Sequence, residues 1–462
     1  LVVSATAGAT VLNGATATAT PSHKAGEVFD LTVSAVNSVG DVTPNYSPGQ
    51  IQFQLTRTSP TLGASVDGNL HYASNSILTT SASAIFQNVT LSGFSAGVST
   101  YSAAHYSEVG LLNLDVQDSN YGNVGIAVSS DAINIGRFIP DHFKQTVAQN
   151  GLFHAKCDSR IAFTAYTGQK HEANNSIGAM SYLSNPVLAV TAYNKQGNIT
   201  QNYYEDSEGS ANDYMKLSAT DITLTIPAFD EVAIGIDSNK LPLTANMLTG
   251  TLSQNDLTAL PSVVVLPKGV LHYQLSNDDN FFYNRSANAM VAPFISDIDF
   301  SAIGIVDTDS VNAISTVDAS PTGIEIRFGR VGLENSFGPE TENLPQVLQL
   351  EHFDGASFTS TSDNSCVSYH ANKISLTDIS LDTNLTNLIG GVGNFLNGKT
   401  QSIELASPGA ENQGQIGVSY DAYEWLKFDW NNDGVYDENP SAVATFGLYR
   451  GDDRLFHWRE VL

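Results

Sequence analysis

The sequence predicts an all-β chain: tandem Ig-like antiparallel β-sandwiches followed by a C-terminal β-sandwich domain. Three observations carry this expectation. Apolar and polar residues alternate with period two along short stretches, as half-buried strands require. Clusters of Gly, Pro, Asn, Asp and Ser, the residues that turns select, separate those stretches. One pattern also occurs twice: residues 29–46 and 186–203 share eight identities in an ungapped window of eighteen.

Along the chain, Phe29–Val36, Ile51–Leu55 and Leu112–Val116 are the clearest alternating runs of the first unit. In the repeat, Leu31/Leu188, Val33/Val190 and Ala35/Ala192 form the inward face of a strand. Asn37/Asn194 and Gly40/Gly197 then make a tight turn, because both residue types tolerate positive φ. Thr43/Thr200, Asn45/Asn202 and Tyr46/Tyr203 lead into the next strand. Two copies offset by 157 residues imply two similar sandwiches, 1–136 and 137–330, joined at a hinge from Gly136 to Phe143 that contains Pro140. Within the second, Asn255–Leu260 begins like a capped helix but meets Pro261, which stops it. Ile324–Phe328 alternates near its end. The third unit, 331–462, contains the alternating Leu348–Phe353 followed by the turn signal Asp354-Gly355, and holds Trp425, Trp430 and Trp458.

Charge narrows the function. The chain of 462 residues carries 20 Lys and Arg against 47 Asp and Glu, a net charge of −27 with only 15% charged residues. Such a field repels phosphate, which argues against nucleic acid and anionic lipid as partners. No apolar run reaches the ~18 residues of a membrane span. The sparse Lys and abundant Ser, Thr and Asn suit an extracellular protein in a salty medium, where repulsion is screened. The chain opens at Leu1 without a basic-then-apolar leader, so a fragment or a processed product is expected, with any targeting signal upstream and no bearing on compartment.

Two cysteines, Cys157 and Cys366, are too few for a disulfide framework or a four-cysteine zinc site. They either pair across a long loop or remain two buried thiols. The best chemical signal is Asp429–Asp437, which matches the first half of an EF-hand-type Ca2+ loop. Oxygen side chains fall on Asp429, Asn431, Asp433 and Asp437, Gly434 permits the sharp turn, and the Val435 carbonyl adds a ligand. The bidentate Glu of such loops is missing, since Pro440 stands there; Glu438 or an acid from elsewhere must complete the shell. A metal-free Asp/Asn turn is the bland alternative.

Other patterns carry less. Asp297/Asp299 and Asp307/Asp309 are Asp-x-Asp pairs, a cation clamp or, more blandly, a solvated sheet face or strand-end turns. Gly393–Thr400 spells a phosphate-binding loop and Gly93–Gly97 a nucleophile elbow, but both lack the helix their mechanisms need, so each reads as a turn between strands. Arg450-Gly451-Asp452 spells an adhesive tripeptide at a length where chance matches are common. No catalytic constellation stands out, and the expectation is a protein that is not an enzyme.

Several segments are specific enough to suggest a family. They are Phe138–Phe143, Tyr166–Gln169, Arg327–Arg330 with Leu333–Asn335, Leu350–Gly355, Asp363–Cys366, and above all Trp425–Pro440, Ala444–Gly451 and Arg454–Leu462. In these the chain resembles the C-terminal region of MshQ-type proteins, encoded with mannose-sensitive haemagglutinin (MSHA) type IV pilus systems of Gram-negative bacteria. The likeness covers roughly residues 20–462, departs at Leu462 where Phe is usual, and has no counterpart for the lectin-like region often found upstream. It implies an exported protein at the cell surface, linked to pilus assembly or adhesion, and brings no catalytic residues. The leading expectation is a structural and adhesive component of an MSHA-type pilus at or near its tip, with minor pilins as partners and the strand around Phe456–Trp458 available for edge pairing. The alternatives are a calcium-dependent carbohydrate-binding adhesin module and a secreted hydrolase; surface glycans or further copies of the chain are the other expected partners.

Overall fold

The computed structural model describes residues 1–447 apart from 20–22, 62–64, 82, 92, 158–160, 172–173, 205–212, 226–228, 231–240, 247–249, 254–256, 260–261, 265–267, 363–365 and 401. It is all-β, with four one-turn 3-10 segments as its helical content among those residues. The Arg450-Gly451-Asp452 tripeptide and the Phe456–Trp458 strand lie outside the described residues.

In the first unit, Phe29–Ser34 buries Phe29, Leu31 and Val33 and turns the residues between them outward, as period two requires. It joins the sheet of Val2–Ala7, Val98–Tyr106, Asn69–Ala73 and Ser76–Thr79. The facing sheet is built on Gly110–Tyr121, which pairs antiparallel with Ile51–Ser59 and with Ile133–Ile139. That last strand runs past Gly136 and pairs Phe138 and Ile139 with His23 and Lys24, so the chain leaves unit one at Pro140.

Unit two stacks His142–Gln149, Val187–Tyr193, Val270–Gln274 and Thr251–Ser253 against a second sheet centred on Leu152–Lys156, Met180–Ser184 and Asn280–Tyr283. Val187–Ala192 is buried at every position, because this strand is covered on both faces. Leu257–Ala259 is a strand paired with Ser262–Val264, while the expected cap at Asn255 and the stop at Pro261 lie outside the described residues. Unit three is a smaller sandwich, with Gly329–Leu333, Leu348–Phe353 and Phe358–Ser360 in one sheet and Ile374–Asp378, Gly414–Tyr420, Ser441–Phe446 and Ser336–Gly338 in another. Units one and two share one continuous core, whereas unit three has its own, joined by Tyr166 of unit two.

The seams between units hold buried charged and polar groups. Arg137 is 2% exposed. Its guanidinium donates to both Asp309 carboxylate oxygens, at 2.8 and 2.6 Å, and to the Asp213 carbonyl. Nearby, the buried Glu108 of unit one accepts from the amides of Gln201 and Asn202 of unit two and of its own neighbour Val109. Cys157 of unit two and Cys366 of unit three are bonded, with Cα atoms 5.3 Å apart. Closing a loop of 209 residues contributes about 5 kcal/mol in the chain-entropy account.

The false friends resolve as turns. Ser95 and Val98 exchange both backbone hydrogen bonds around Ala96 and Gly97, which have φ of 51° and 81°. Leu396 and Lys399 do the same around Asn397 and Gly398, and Lys399 pairs with Glu334 rather than facing a phosphate cradle. The Asp-x-Asp clamp is not formed at 307 and 309: Asp307 faces inward as a turn acceptor, while Asp309 is neutralised by Arg137. Asp299 accepts from the Ser320 hydroxyl.

Two outcomes test the first seam. Arg137→Met leaves Asp309 half-buried without its cation and is expected to destabilise the chain by about 3–5 kcal/mol, with much of the loss recovered in Arg137→Met/Asp309→Leu; chemical denaturation measures both. The second outcome concerns pH. Burial pushes the Glu108 carboxyl up from 4.5 to about 7, against the pull of its three amide donors. The folded state therefore holds a proton that the unfolded chain has lost, so this contribution to stability is full below about 4.5 and fades as pH rises through 7. Unfolding free energies between these limits should lose that slope in Glu108→Gln; an unchanged slope would assign it to other groups.

Candidate metal centre

The 3-10 turn Glu424–Leu426 anchors the start of the acidic segment, with Trp425 and Leu426 buried in the unit-three core. Phe428 and Glu438 then form an antiparallel bridge, exchanging hydrogen bonds of 3.2 Å. This bridge closes Asp429–Asp437 into a loop. Inside it, Asp429 accepts from the amides of Asp433 at 2.8 Å and Gly434 at 3.0 Å. Asn431 also accepts from the Asp433 amide, and Asp433 accepts from the Val435 amide. Asn432 and Gly434 take φ of 62° and 89°, the left-handed steps that wind the loop.

Winding turns alternate side chains to one side. Carboxylate oxygens of Asp429, Asp433 and Glu438 come within 4.8 Å of one another. Asn431 is tied to Asp433 through an amide hydrogen bond of 3.1 Å. Asp437 lies outside that group of three, and Glu438 supplies the third carboxylate from the far side of the Phe428 bridge. Desolvation, then the neighbouring Asp433 and Asp437 charges, push the Glu438 carboxyl up. Three clustered carboxylates repel one another, and a hard divalent cation taking oxygen ligands is the group that would relieve them. Asp429, Asp433 and Glu438 would hold it, with the Asn431 side chain and Val435 carbonyl at the spacing of further ligands.

What braces the loop was not visible in the motif. The Phe428 and Tyr436 rings stack with centroids 5.1 Å apart and planes 6° apart. The Tyr436 amide donates to the Ala287 carbonyl of unit two, and its ring packs on Phe328. Arg285 lies 3.7 Å over Phe328 and donates to the Lys427 carbonyl; burial pulls its guanidinium down to about 9. Arg330 sits 3.7 Å over Phe358 and 5.0 Å from the Trp430 ring, and pairs with Glu351. The acidic loop therefore rests on the seam between units two and three. In the sequence, Arg327-Phe328-Gly329-Arg330 stands out only as one of the segments of the family likeness, without a stated role.

The tryptophans separate. Trp425 is buried against Tyr166 and Tyr423, Trp458 is outside the described residues, and Trp430 is 37% exposed with Arg330 over its ring. Two buried carboxylates serve as acceptors within the sandwiches. Asp118 accepts from the Tyr46 hydroxyl and the Gly49 and Gln50 amides, and Asp307 from the Tyr203 hydroxyl and the Val311 amide. Among the described residues no helix is long and apolar enough to cross a membrane, which says nothing of β-barrels.

Three family models match consecutive stretches: DUF6701, second domain, at residues 1–88; DUF6701, third domain, at 108–326; and DUF6701, fourth domain, at 327–461. Together they span nearly the whole chain, and the chain belongs to the DUF6701 family. No curated protein matches. Among solved structures, the chain is similar to FdeC, described as a broadly conserved Escherichia coli adhesin, at 8% identity and a TM-score of 0.32 over 92% of this chain and 95% of that one. A second is domains 5-6 of the S-layer protein SbsC, at 12% identity and a TM-score of 0.13 over 66% of this chain and 91% of that one. Likenesses at these scores carry no functional argument.

Calcium added to chelator-treated protein should raise the melting midpoint. Saturation at a hundredfold over Kd corresponds to about 2.7 kcal/mol. Asp429→Ala and Asp433→Ala should abolish the rise, and Asp437→Ala should reduce it less than Glu438→Ala; calorimetry with and without EDTA measures this.

Proposed function

We propose that the chain is a non-enzymatic, extracellular structural and adhesive protein of an MSHA-type pilus system. In this reading it is a series of sandwiches whose second seam is closed by a disulfide and a calcium ion. The observation that carries the reading is that seam. A bond between Cys157 and Cys366 and a carboxylate loop braced on Arg285 and Ala287 of unit two meet across the same two units. Disulfides persist in oxidising compartments outside the cytoplasm. Closing a joint both covalently and with an ion suits a protein that must keep its domains in line while one end is pulled. The sparse basic residues support a surface that stays solvated and does not adhere to anionic material. The pilus assignment rests on the sequence likeness of Trp425–Pro440 and the segments around it.

In a bacterium carrying an MSHA-type system, the chain should be recovered from the cell surface with Cys157 and Cys366 oxidised, and from sheared pili. Deleting Arg454–Leu462 should remove it from the pilus fraction while leaving it exported. Recovery in the cytoplasm with free thiols would overturn the extracellular reading; equal pilus association after the deletion would overturn the docking role of that segment.

A further inference from the structure

The repeated motif forms the same loop twice, but only one copy is covered. In unit two, the Asn194 side-chain oxygen accepts from the amides of Gln196 and Asn198, Gly197 has φ of 81°, and the Tyr203 hydroxyl donates to Asp307. In unit one, the Asn37 oxygen accepts from Val39 and Asp41, Gly40 has φ of 91°, and the Tyr46 hydroxyl donates to Asp118. Within the loop, donor, acceptor and spacing correspond, and both tyrosine hydroxyls donate to an Asp carboxylate.

The unit-two loop shows what this surface receives. Its Asn194 amide group donates to the Ser107 carbonyl at 2.9 Å and its Lys195 backbone amide to the Ala25 carbonyl at 2.8 Å. The Gln201 and Asn202 amides meet the Glu108 carboxylate, and the Asn202 side chain bonds both ways with the Val66 backbone. Asn194 and Asn202 are fully buried as a result. Gly26 lets this approach occur: a Cβ there would stand 3.1 Å from the Lys195 nitrogen.

In unit one the corresponding Asn37 and Asn45 are exposed, and Val39 is 78% exposed. The loop lines an open groove of about 710 Å³ with Tyr46, Tyr121 and Leu1. Leu1, ahead of the first strand of unit one, lines this groove, and Asp141, ahead of the first strand of unit two, is bonded to the Tyr193 carbonyl beside the covered loop. The matching family model at residues 1–88 is the second domain of its family.

We propose that the Asn37–Tyr46 end of unit one is a docking site for the end of another β-sandwich, the family's first domain, seated there as unit one is seated on unit two. The occupant presents a backbone carbonyl to the Ser38 amide and a buried carboxylate or carbonyl to the Asn45 amide, the counterparts of Lys195 and Asn202. Pro44 stands where Gln201 donates, so this joint has one donor fewer and is the looser of the two.

Hydrogen–deuterium exchange tests this with two proteins: the 462-residue chain, and the same chain extended at Leu1 by a DUF6701 first domain. In the shorter chain Ser38 and Asn45 should exchange fast, while Lys195 and Asn202 serve as slow internal references. In the longer chain Ser38 and Asn45 should slow by about tenfold or more. Asn45→Asp in the longer chain should restore fast exchange at Ser38, and in the shorter chain should leave the melting point unchanged. Equal exchange at both positions in the two proteins would overturn the proposal. Protection that grows with concentration of the shorter chain alone would also overturn it, by making a second copy the occupant.

Discussion

The seam between sandwiches is the constraint on which the rest of this structure depends. A sandwich satisfies itself: its strands pair and its two faces close on one another. Joining sandwiches is harder in a chain with 47 acids and 20 bases, because bringing loop ends together concentrates carboxylates. Two of the five described arginines stand at these places: Arg137 between units one and two, and Arg285 of unit two, which donates to the Lys427 carbonyl of unit three. Each is held by geometry that a lysine would not reproduce, a two-pronged carboxylate contact or a guanidinium laid flat on rings. Where no cation is supplied, as at Glu108, the carboxylate instead gathers backbone amides and takes up a proton more readily.

Backbone satisfaction inside the loops follows one device. A short side-chain oxygen accepts from the amides two and four residues onward, so the loop keeps its shape without help from its surroundings. Asn37 and Asn194 do this in the detected repeat. Asp307 does it as well, accepting from Asp309 and Val311 around Ser310 at φ of 62°. The acidic loop of unit three uses a close variant, with Asp429 accepting from Asp433 and Gly434. A loop that is rigid in isolation loses little entropy when a partner or an ion meets it.

The fold was legible because burial along strands such as Phe29–Ser34 follows the alternation residue by residue. The detected repeat was legible because Asn, Gly, Thr and Tyr are each fixed by a backbone or hydroxyl contact. The Asp307 loop escaped notice for the converse reason. Asp replaces Asn, Ser310 replaces glycine at positive φ, and Ala313 replaces threonine, so the geometry survives while the letters do not. That substitution also explains why the Asp-x-Asp pair is a strand-end turn and not a cation clamp. Alternation places Asp307 and Asp309 on one side of an ideal strand, but the chain turns there, directing one acid inward to Tyr203 and the other to Arg137. Local period cannot register a cation that arrives from 172 residues away.

The acidic loop shows the same division. Its winding is local, and spacing alone gave Asp429, Asn431 and Asp433. Its third carboxylate is not, since Glu438 is delivered by the Phe428 bridge that closes the loop. Its orientation depends still further on Tyr436 hydrogen-bonding to Ala287 and packing on Phe328, residues of another unit. An ion bound by these carboxylates would therefore do more than stiffen one turn. By fixing Asp429 and Glu438 on either side of Phe428, it would hold the ring that stacks on Tyr436, and through Tyr436 the contact with unit two. Ion and disulfide would then restrain one seam at separate points. Two separated restraints oppose rotation about the joint, which a single disulfide leaves free.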